Sequence, residues 1–310
     1  MNIEVFLMEA EIAQEFADSI EARDLPEKFF YLFPRSVRAW LELSQNSITS
    51  GLRRCWEQLV DTKGPQIAGN PDSPLSVISF GSGDGAKDRM LIKSLERTGA
   101  TVKYFPVDAS QAMLEMACAG ADDEDIETVG IKADISSPVH LVYAADAAEP
   151  PRIFIMSGNT MGSFDPLAEI RYVAQCMKPE DRLIIDGEIF DSEKSMARRD
   201  NPSARKFVSA LLASVGIEED EGDIGFTLKR DDRHTGLHLI TRYFRVERDL
   251  SATVAGQEIS IERGERIGLN FQYAYTPDAF RWLVTQQGGL EVLEEYASPD
   301  GRFLTFVCKK

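Results

Sequence analysis

A short apolar run, Leu75-Ser76-Val77-Ile78-Ser79-Phe80, passes directly into Gly81-Ser82-Gly83-Asp84-Gly85. This junction constrains the fold more than any other stretch of the chain. The run has the length and composition of a buried strand. The glycines let the backbone turn sharply and leave no Cβ in the way of a ligand. A helix starting here presents free N–H groups to whatever lies in front of it. A tight strand-to-helix turn needs glycine in any case, so the loop alone marks a turn and not yet a site.

The pattern around it repeats. Strands are predicted at 102–107, 129–132, 153–156 and 183–186, and helices at 89–97, 112–119 and 168–177. Such alternation predicts a doubly wound, parallel α/β sheet. Val107-Asp108 closes the second strand and Ala133-Asp134 the third. A carboxylate at the second strand end can accept both hydroxyls of a ribose. One at the third can meet the amino group of an adenine. Three such features at successive strand ends point to a nucleoside-containing cofactor. The dinucleotide fingerprint needs G-x-G-x-x-G, but Ala86 follows G-x-G-x-G here. With no pyrophosphate cradle, the spacing favours S-adenosylmethionine (SAM) over NAD.

Outside this core the texture differs. Residues 1–62 read as helical, with apolar spacing at 9–22 and 35–43. A turn and aromatic cluster at 25–31 separate the two. Residues 64–74 read as a loop and a domain boundary. Beyond Phe190 come a polar helical stretch (192–212), an acidic loop (218–223) and alternating runs at 237–246, 259–262 and 269–275. These read as antiparallel strands with one wet face. A helix at 277–287 and strands at 290–296 and 303–308, with the turn Ser298-Pro299-Asp300-Gly301, complete the sheet.

Composition narrows the function classes. The net charge of −17 opposes a nucleic-acid partner. No apolar run approaches the ~18–20 residues of a membrane span. The first twenty residues carry Glu4, Glu9, Glu11, Glu15 and Asp18 but no Lys or Arg, unlike a signal or transit peptide. Cys55, Cys118, Cys176 and Cys308 are scattered, which argues against a zinc site or disulfide framework and for core residues in a reducing, cytoplasmic setting. His140, His234 and His238 form no ligand pattern, and no metal is expected.

Several segments together resemble the SAM-dependent methyltransferases that trimethylate the α-amine of histidine. They are Leu25-Pro26-Glu27-Lys28-Phe29-Phe30-Tyr31, Phe80-Gly81-Ser82-Gly83 with Lys87-Asp88-Arg89-Met90-Leu91, and Tyr104-Phe105-Pro106-Val107-Asp108-Ala109-Ser110. Gly158-Asn159-Thr160-Met161-Gly162-Ser163-Phe164-Asp165-Pro166, Lys178-Pro179-Glu180-Asp181, Tyr275-Thr276-Pro277 and Pro299-Asp300-Gly301-Arg302-Phe303 extend the resemblance over most of the chain. It implies a class I methyltransferase, an α/β Rossmann-like sheet with a terminal antiparallel strand, carrying an α+β substrate-binding domain. The implied division is an N-terminal helical segment at 1–62, a SAM-binding core at 63–194, an inserted substrate domain at 195–275 and a completion of the core at 276–310. The implied cofactor contacts are Gly81, Ser82, Gly83, Lys87, Asp108, Ala109, Asp134 and Ser157.

One departure from that family falls at the cofactor's amino-acid end and the others on the substrate side. The usual acidic residue two before the first glycine is Ser79. Ser163 stands where an Asn holds the substrate amine, and Arg199 aligns with a Tyr. Asn270 and Gln272 align with the Glu and Ser that grip the imidazole. Only Tyr31 is retained. Losing a buried partner for a polar group typically costs ~1–3 kcal/mol, so several losses predict a substrate other than histidine. The expectation is a small-molecule methyltransferase acting on an amino acid or related amine, with no nucleic-acid or membrane partner. A catalytically inactive, methyltransferase-like binding or regulatory protein is the alternative.

Tyr31 is the candidate catalytic residue, orienting the amine or accepting its proton through water; it also suits an aromatic cluster between helices. Tyr31, Ser163, Arg199, Asn270 and Gln272 are the candidate substrate contacts. Asn270 and Gln272 lie two apart on one strand and so share a face. Arg199 suits either a substrate carboxylate or a surface ion pair. Glu188 reads equally as a cleft or a solvated carboxylate.

Overall fold

The computed structural model describes residues 2–45, 47–68, 74–254 and 256–310. The chain opens with strand β1 (Ile3–Val5), helix α1 (Glu9–Glu21), a 3-10 turn at Glu27–Tyr31, α2 (Pro34–Ser44) and α3 (Ser47–Ala68). The alternating core follows as β2 (Leu75–Phe80), α4 (Ala86–Glu96), β3 (Val102–Asp108), α5 (Gln111–Asp122), β4 (Glu127–Thr128), β5 (Gly130–Lys132), α6 (Pro138–Asp146), β6 (Arg152–Met156), α7 (Pro166–Cys176) and β7 (Arg182–Glu188). Then come α8 (Ser192–Arg199), α9 (Pro202–Ala213), β8 (Gly222–Arg230), β9 (Leu237–Val246), β10 (Leu250–Val254), β11 (Gln257–Ile261) and β12 (Arg266–Tyr275). Helix α10 (Pro277–Trp282), which widens into a π turn at Leu283–Gln287, precedes β13 (Glu291–Ala297) and β14 (Phe303–Lys309).

The large sheet runs β1-β5-β3-β2-β6-β7-β14-β13, with β4 beside β3. The pairs from β1 to β7 are parallel, while β14 is antiparallel to both β7 and β13. This is the class I methyltransferase sheet with one extra edge strand. Strands β2 and β6 are buried along their whole length, as apolar runs between two helical layers must be. The chain order reverses between β2 and β6, and such a switch point opens a crevice at the strands' C-terminal ends.

A second layer covers that end. Strands β12, β9 and β8 form an antiparallel sheet, and β10 and β11 a hairpin. Their apolar faces share one core with α1, the 3-10 turn, α2 and α9, centred on Phe16, Phe29, Phe30, Phe207 and Phe244. A backbone bridge between Asp24 and Gly268 ties the N-terminal segment to β12.

Several expectations are corrected. The segment 1–62 is not one unit: β1 joins the core sheet, and α3 packs Trp56, Leu59 and Val60 against Leu91 and Leu95 of the core. A three-residue strand among acidic residues is too short to show periodicity. The predicted loop from Gly64 is helical to Ala68, because Ser94 of the core packs against Gly64 and donates to the Val60 carbonyl; residues 69–73 lie outside the described part. The helix at 192–212 breaks at Asp200-Asn201, where Asn201 caps a new helix and Pro202 takes its first position. Helix α6 and strands β4, β8 and β10 are further elements beyond those the sequence pattern predicts. Cys118 and Cys308 are buried and Cys176 is half-buried, all as free thiols; the Cys55 side chain lies outside the described part. Among the described residues no helix is long and apolar enough to cross a membrane.

At the far end of the sheet, Arg152 and Asp181 form a fully buried ion pair at 2.6 Å. Asp181 also accepts the backbone N–H groups of Arg152 and Lys178, and Arg152 donates to the carbonyls of Ala145 and Cys176. Breaking such a pair leaves a buried, uncompensated charge. Arg152→Ala should therefore lower the unfolding free energy by about 3–5 kcal/mol in urea titrations; a change under about 1 kcal/mol would contradict this role.

Candidate active site

The crevice is a cavity of about 300 Å³ between the strand ends and the second layer. Gly81, Ser82, Gly83, Lys87, Asp108, Ala109, Asp134 and Ser157 all line it, so the sequence-predicted cofactor set comes together. Gly83 has φ +56°, and a Cβ there would lie 3.3 Å from the Trp40 ring across the cavity. Both the left-handed backbone and the close ring require glycine. The Ser82 hydroxyl is buried with no hydrogen-bond partner among the described residues.

Asp108 ends β3. Its Oδ2 accepts the Gly83 N–H at 2.9 Å and its Oδ1 the Ser110 N–H at 2.9 Å. Burial pushes its carboxyl up from the usual range, and the N–H groups of Ser110 and Gly83 offset part of that rise. Each oxygen keeps lone-pair capacity toward the cavity. Asp134 is more committed. Its Oδ1 accepts the N–H and hydroxyl of Ser136, and its Oδ2 pairs with Lys28 at 2.5 Å. Burial alone would raise its pKa, but Lys28 and Ser136 outweigh burial and hold it below the usual carboxylate range.

The loop after β6 is pinned from below: Asp186 accepts the N–H groups of Gly158 and Asn159 at 2.6–2.9 Å. That fixes Ser157, Thr160 and Ser163 on the cavity wall. Ser79, by contrast, does not line the cavity. It points behind β2 and hydrogen-bonds Asp88, which also takes the Tyr104 hydroxyl at 2.6 Å. The carboxylate absent from β2 thus has a buried counterpart on α4, facing the core.

On the substrate side Tyr31, Ser163, Arg199 and Gln272 line the cavity. Tyr31 packs against Trp40 and Phe207 and donates its hydroxyl to Glu27 Oε1 at 2.8 Å. Burial and then the Glu27 charge raise its pKa well above the ordinary tyrosine value. The phenol therefore keeps its proton and donates it in the hydrogen bond to Glu27. Asn270 stands behind the wall and donates its Nδ2 to Glu27 Oε2, leaving its Oδ1 buried and unpartnered. Arg199 is buried and holds Glu188 at 2.9 and 3.0 Å, with Arg198 on the same carboxylate. Glu188 is thus neither solvated nor free. Burial pushes its pKa up, but the two guanidiniums dominate and bring it down to about 2.

Glu27, Lys28, Trp40 and Arg242 also line the cavity and were missed in the sequence. Glu27 and Lys28 precede the aromatic pair of the 3-10 turn, and the sequence does not show which side chains of so short a turn face a cavity. Arg242 carried a readable signal. It shares the inward face of β9 with Ile240, Phe244 and Val246, so a charge sits in an apolar row.

A family model for "Histidine-specific methyltransferase, SAM-dependent" matches residues 51–310. The chain belongs to that family. It is also similar to the Histidine N-alpha-methyltransferase of Mycobacterium tuberculosis (strain CDC 1551 / Oshkosh), at 23% identity over 151 residues. That match covers 46% of this chain and 46% of the relative, so it spans less than half of the curated protein's length. Among solved structures, the PH0226 protein from Pyrococcus horikoshii OT3 is similar at 14% identity and TM-score 0.47, covering 89% of this chain and 99% of that one. A SAM-dependent methyltransferase from Clostridium acetobutylicum ATCC 824 is similar at 12% identity and TM-score 0.45, covering 88% and 98%.

Behind the Asp134 end lies Glu169 on α7, buried, with one oxygen unpartnered among the described residues. Burial, and secondarily Asp134, raises its pKa from 4.5 to about 8. The folded protein then holds a proton that the unfolded chain has released between these two values. Stability should fall as pH rises from about 4.5 to about 8 on this account. Glu169→Gln should remove that slope, melting higher than the parent at pH 8 and near it at pH 4.5. An unchanged slope would sink the assignment.

Proposed function

We propose that the protein transfers a methyl group from SAM to the nitrogen of a small amino acid or related amine other than histidine. The observation that carries this reading is the Glu27 carboxylate, set on the wall of the cofactor cavity by Tyr31 and Asn270. An ammonium has no lone pair, so an amine nucleophile must lose a proton before it attacks. Glu27 is the cavity carboxylate that stands beside the proposed substrate residues, and Tyr31 fixes its orientation. Tyr31 thus serves as a positioning donor, and the proton-accepting role expected of it passes to its partner.

The residues present suit SAM. Asp108 would take the ribose hydroxyls, the unpartnered Ser82 hydroxyl would gain a partner, and Gly81 and Gly83 leave room for close approach. Lys87, Ala109 and Ser157 would complete that wall, with Asp134 and the adjoining Ile135 at the adenine end. When bound, SAM supplies an electrophilic methyl carbon. The protein's share is to align the nitrogen with it and to exclude water. Trp40, Tyr31 and Phe207 form the dry aromatic side of the cavity.

The substitution of the histidine-binding positions supports a different acceptor. Arg199 is held on Glu188 and Asn270 on Glu27, so neither reproduces a tyrosine or a carboxylate facing an imidazole. The alternative, a catalytically inactive binding protein, rests on the altered substrate positions and on Ser79. That residue faces Asp88 inside the fold, so its identity removes no carboxylate from the cavity wall.

Asp108→Ala should weaken S-adenosylhomocysteine binding about 10- to 100-fold by calorimetry while the protein stays folded. Unchanged affinity would move the cofactor elsewhere. Glu27→Gln should lower kcat about 100-fold or more on the amine substrate, with S-adenosylhomocysteine affinity within about twofold of the parent. Full activity in that variant would remove Glu27 from the reaction.

A further inference from the structure

The cavity holds a cation with no anion beside it. Arg242, on β9, is 6% exposed and lines the cavity wall. Among the described residues it has no ion-pair partner and no side-chain hydrogen bond, whereas most buried charges are paired. Two further guanidiniums stand near it. Arg198 and Arg199 both also line the cavity, but they share the single carboxylate of Glu188. The Arg199 Nε is itself buried without a partner. Around Arg242 the charges that act on it most are Glu27 on one side and Arg199 and Arg198 on the other, and Glu188 already holds the latter two.

The effect on Arg242 is visible in its ionisation. Burial first, and then repulsion from Arg199 and Arg198, bring its pKa down to about 10; attraction by Glu27 opposes this. Glu27 lies beyond ion-pair distance of Arg242 and takes its own hydrogen bonds from Tyr31 and Asn270. An acid and a base thus face one cavity, each without a charged partner in contact. A guanidinium in this state suits a planar anion that can accept two parallel N–H bonds.

We propose that Arg242 is the anchor for a carboxylate on the methyl-accepting substrate, which makes the substrate a small amino acid carrying its nitrogen toward Glu27 and its carboxylate toward Arg242. This rests on the methyltransferase reading above and adds a requirement to it. A plain amine would leave Arg242 buried and unpaired in the complex. An amino acid neutralises it and places the opposite charge of the same molecule beside Glu27. Arg199 adds positive potential behind the carboxylate while Glu188 holds it in place. The two arginines divide the work: Arg199 is a positioning and field residue, and Arg242 makes the contact. The negative surface of the chain does not oppose entry strongly, because charges beyond ~8 Å are screened at physiological salt.

The test uses the protein saturated with S-adenosylhomocysteine, titrated with the proteinogenic amino acids and, in parallel, their carboxamides, and read by thermal shift and calorimetry. Methyl transfer from SAM is then measured on each binder. At least one amino acid should bind and accept methyl, and its carboxamide should bind about 10- to 100-fold more weakly. Arg242→Gln should bring acid and amide within about threefold of each other, and Arg242→Lys should restore part of the preference. Both variants should keep parent affinity for S-adenosylhomocysteine, and Arg242→Gln should melt no lower than the parent because it removes an unpaired buried charge. Equal binding of acid and amide, a preference that survives Arg242→Gln, or no binder in the panel despite tight S-adenosylhomocysteine binding would each overturn the proposal. Failure of the parent to bind S-adenosylhomocysteine at all would instead strike the cofactor assignment beneath it.

Discussion

The ion pair between Lys28 and Asp134, at 2.5 Å and largely shielded from solvent, joins the two layers of the molecule at the site itself. Lys28 belongs to the 3-10 turn of the N-terminal segment, and Asp134 lies just beyond β5 of the core sheet. The neighbours of Lys28 in the turn explain why this contact matters. Phe29 and Phe30 are fully buried in the second layer's core, and Glu27 and Tyr31 look into the cavity. One turn of five residues therefore anchors the layer, latches it to the sheet and supplies the carboxylate and phenol proposed to handle the substrate's proton. The second bond of Lys28, to Glu15 on α1, makes it a three-way junction.

Charge is distributed in this cavity by the same logic throughout. Where the fold needs a fixed wall, opposite charges are paired and hydrogen-bonded: Glu188 between two arginines, Asp134 between Lys28 and Ser136, Asp186 under the loop after β6. Where a ligand must enter, capacity is left open. The Ser82 hydroxyl, the outer lone pairs of Asp108, the Glu27 carboxylate and the Arg242 guanidinium all lack a full set of partners of their own. Protein interiors seldom leave polar groups in that condition. Their convergence on one cavity is what separates a site from a packing defect.

Much of the cofactor half was legible in the sequence because it depends on local chemistry. Glycines at a strand-helix turn, and carboxylates at the ends of β3 and just past β5, occupy positions fixed by the alternation of strands and helices. The strand at 75–80 and that at 237–246 were placed to the residue for the same reason. The substrate half depends on long-range contacts. Whether Arg199 faces a carboxylate or solvent is decided by Glu188, eleven positions away, and whether Asn270 meets substrate is decided by Glu27, far away in the chain. Gly64-Pro65 reads as a break, yet helix α3 continues because the core packs against it. Arg242 could have been found from the alternation of β9 alone, since its neighbours at 240, 244 and 246 are all apolar and buried.

The central claim is that the strand-end cavity, closed by the 3-10 turn, is where SAM and its acceptor meet. A crystal structure of the protein with S-adenosylhomocysteine tests this most directly. The account predicts the ribose hydroxyls on Asp108, the homocysteine sulfur facing the side of the cavity lined by Tyr31 and Arg242, and the adenine beside Asp134 and Ile135. A nucleoside bound elsewhere, or bound in this cavity without contact to Asp108, would contradict it.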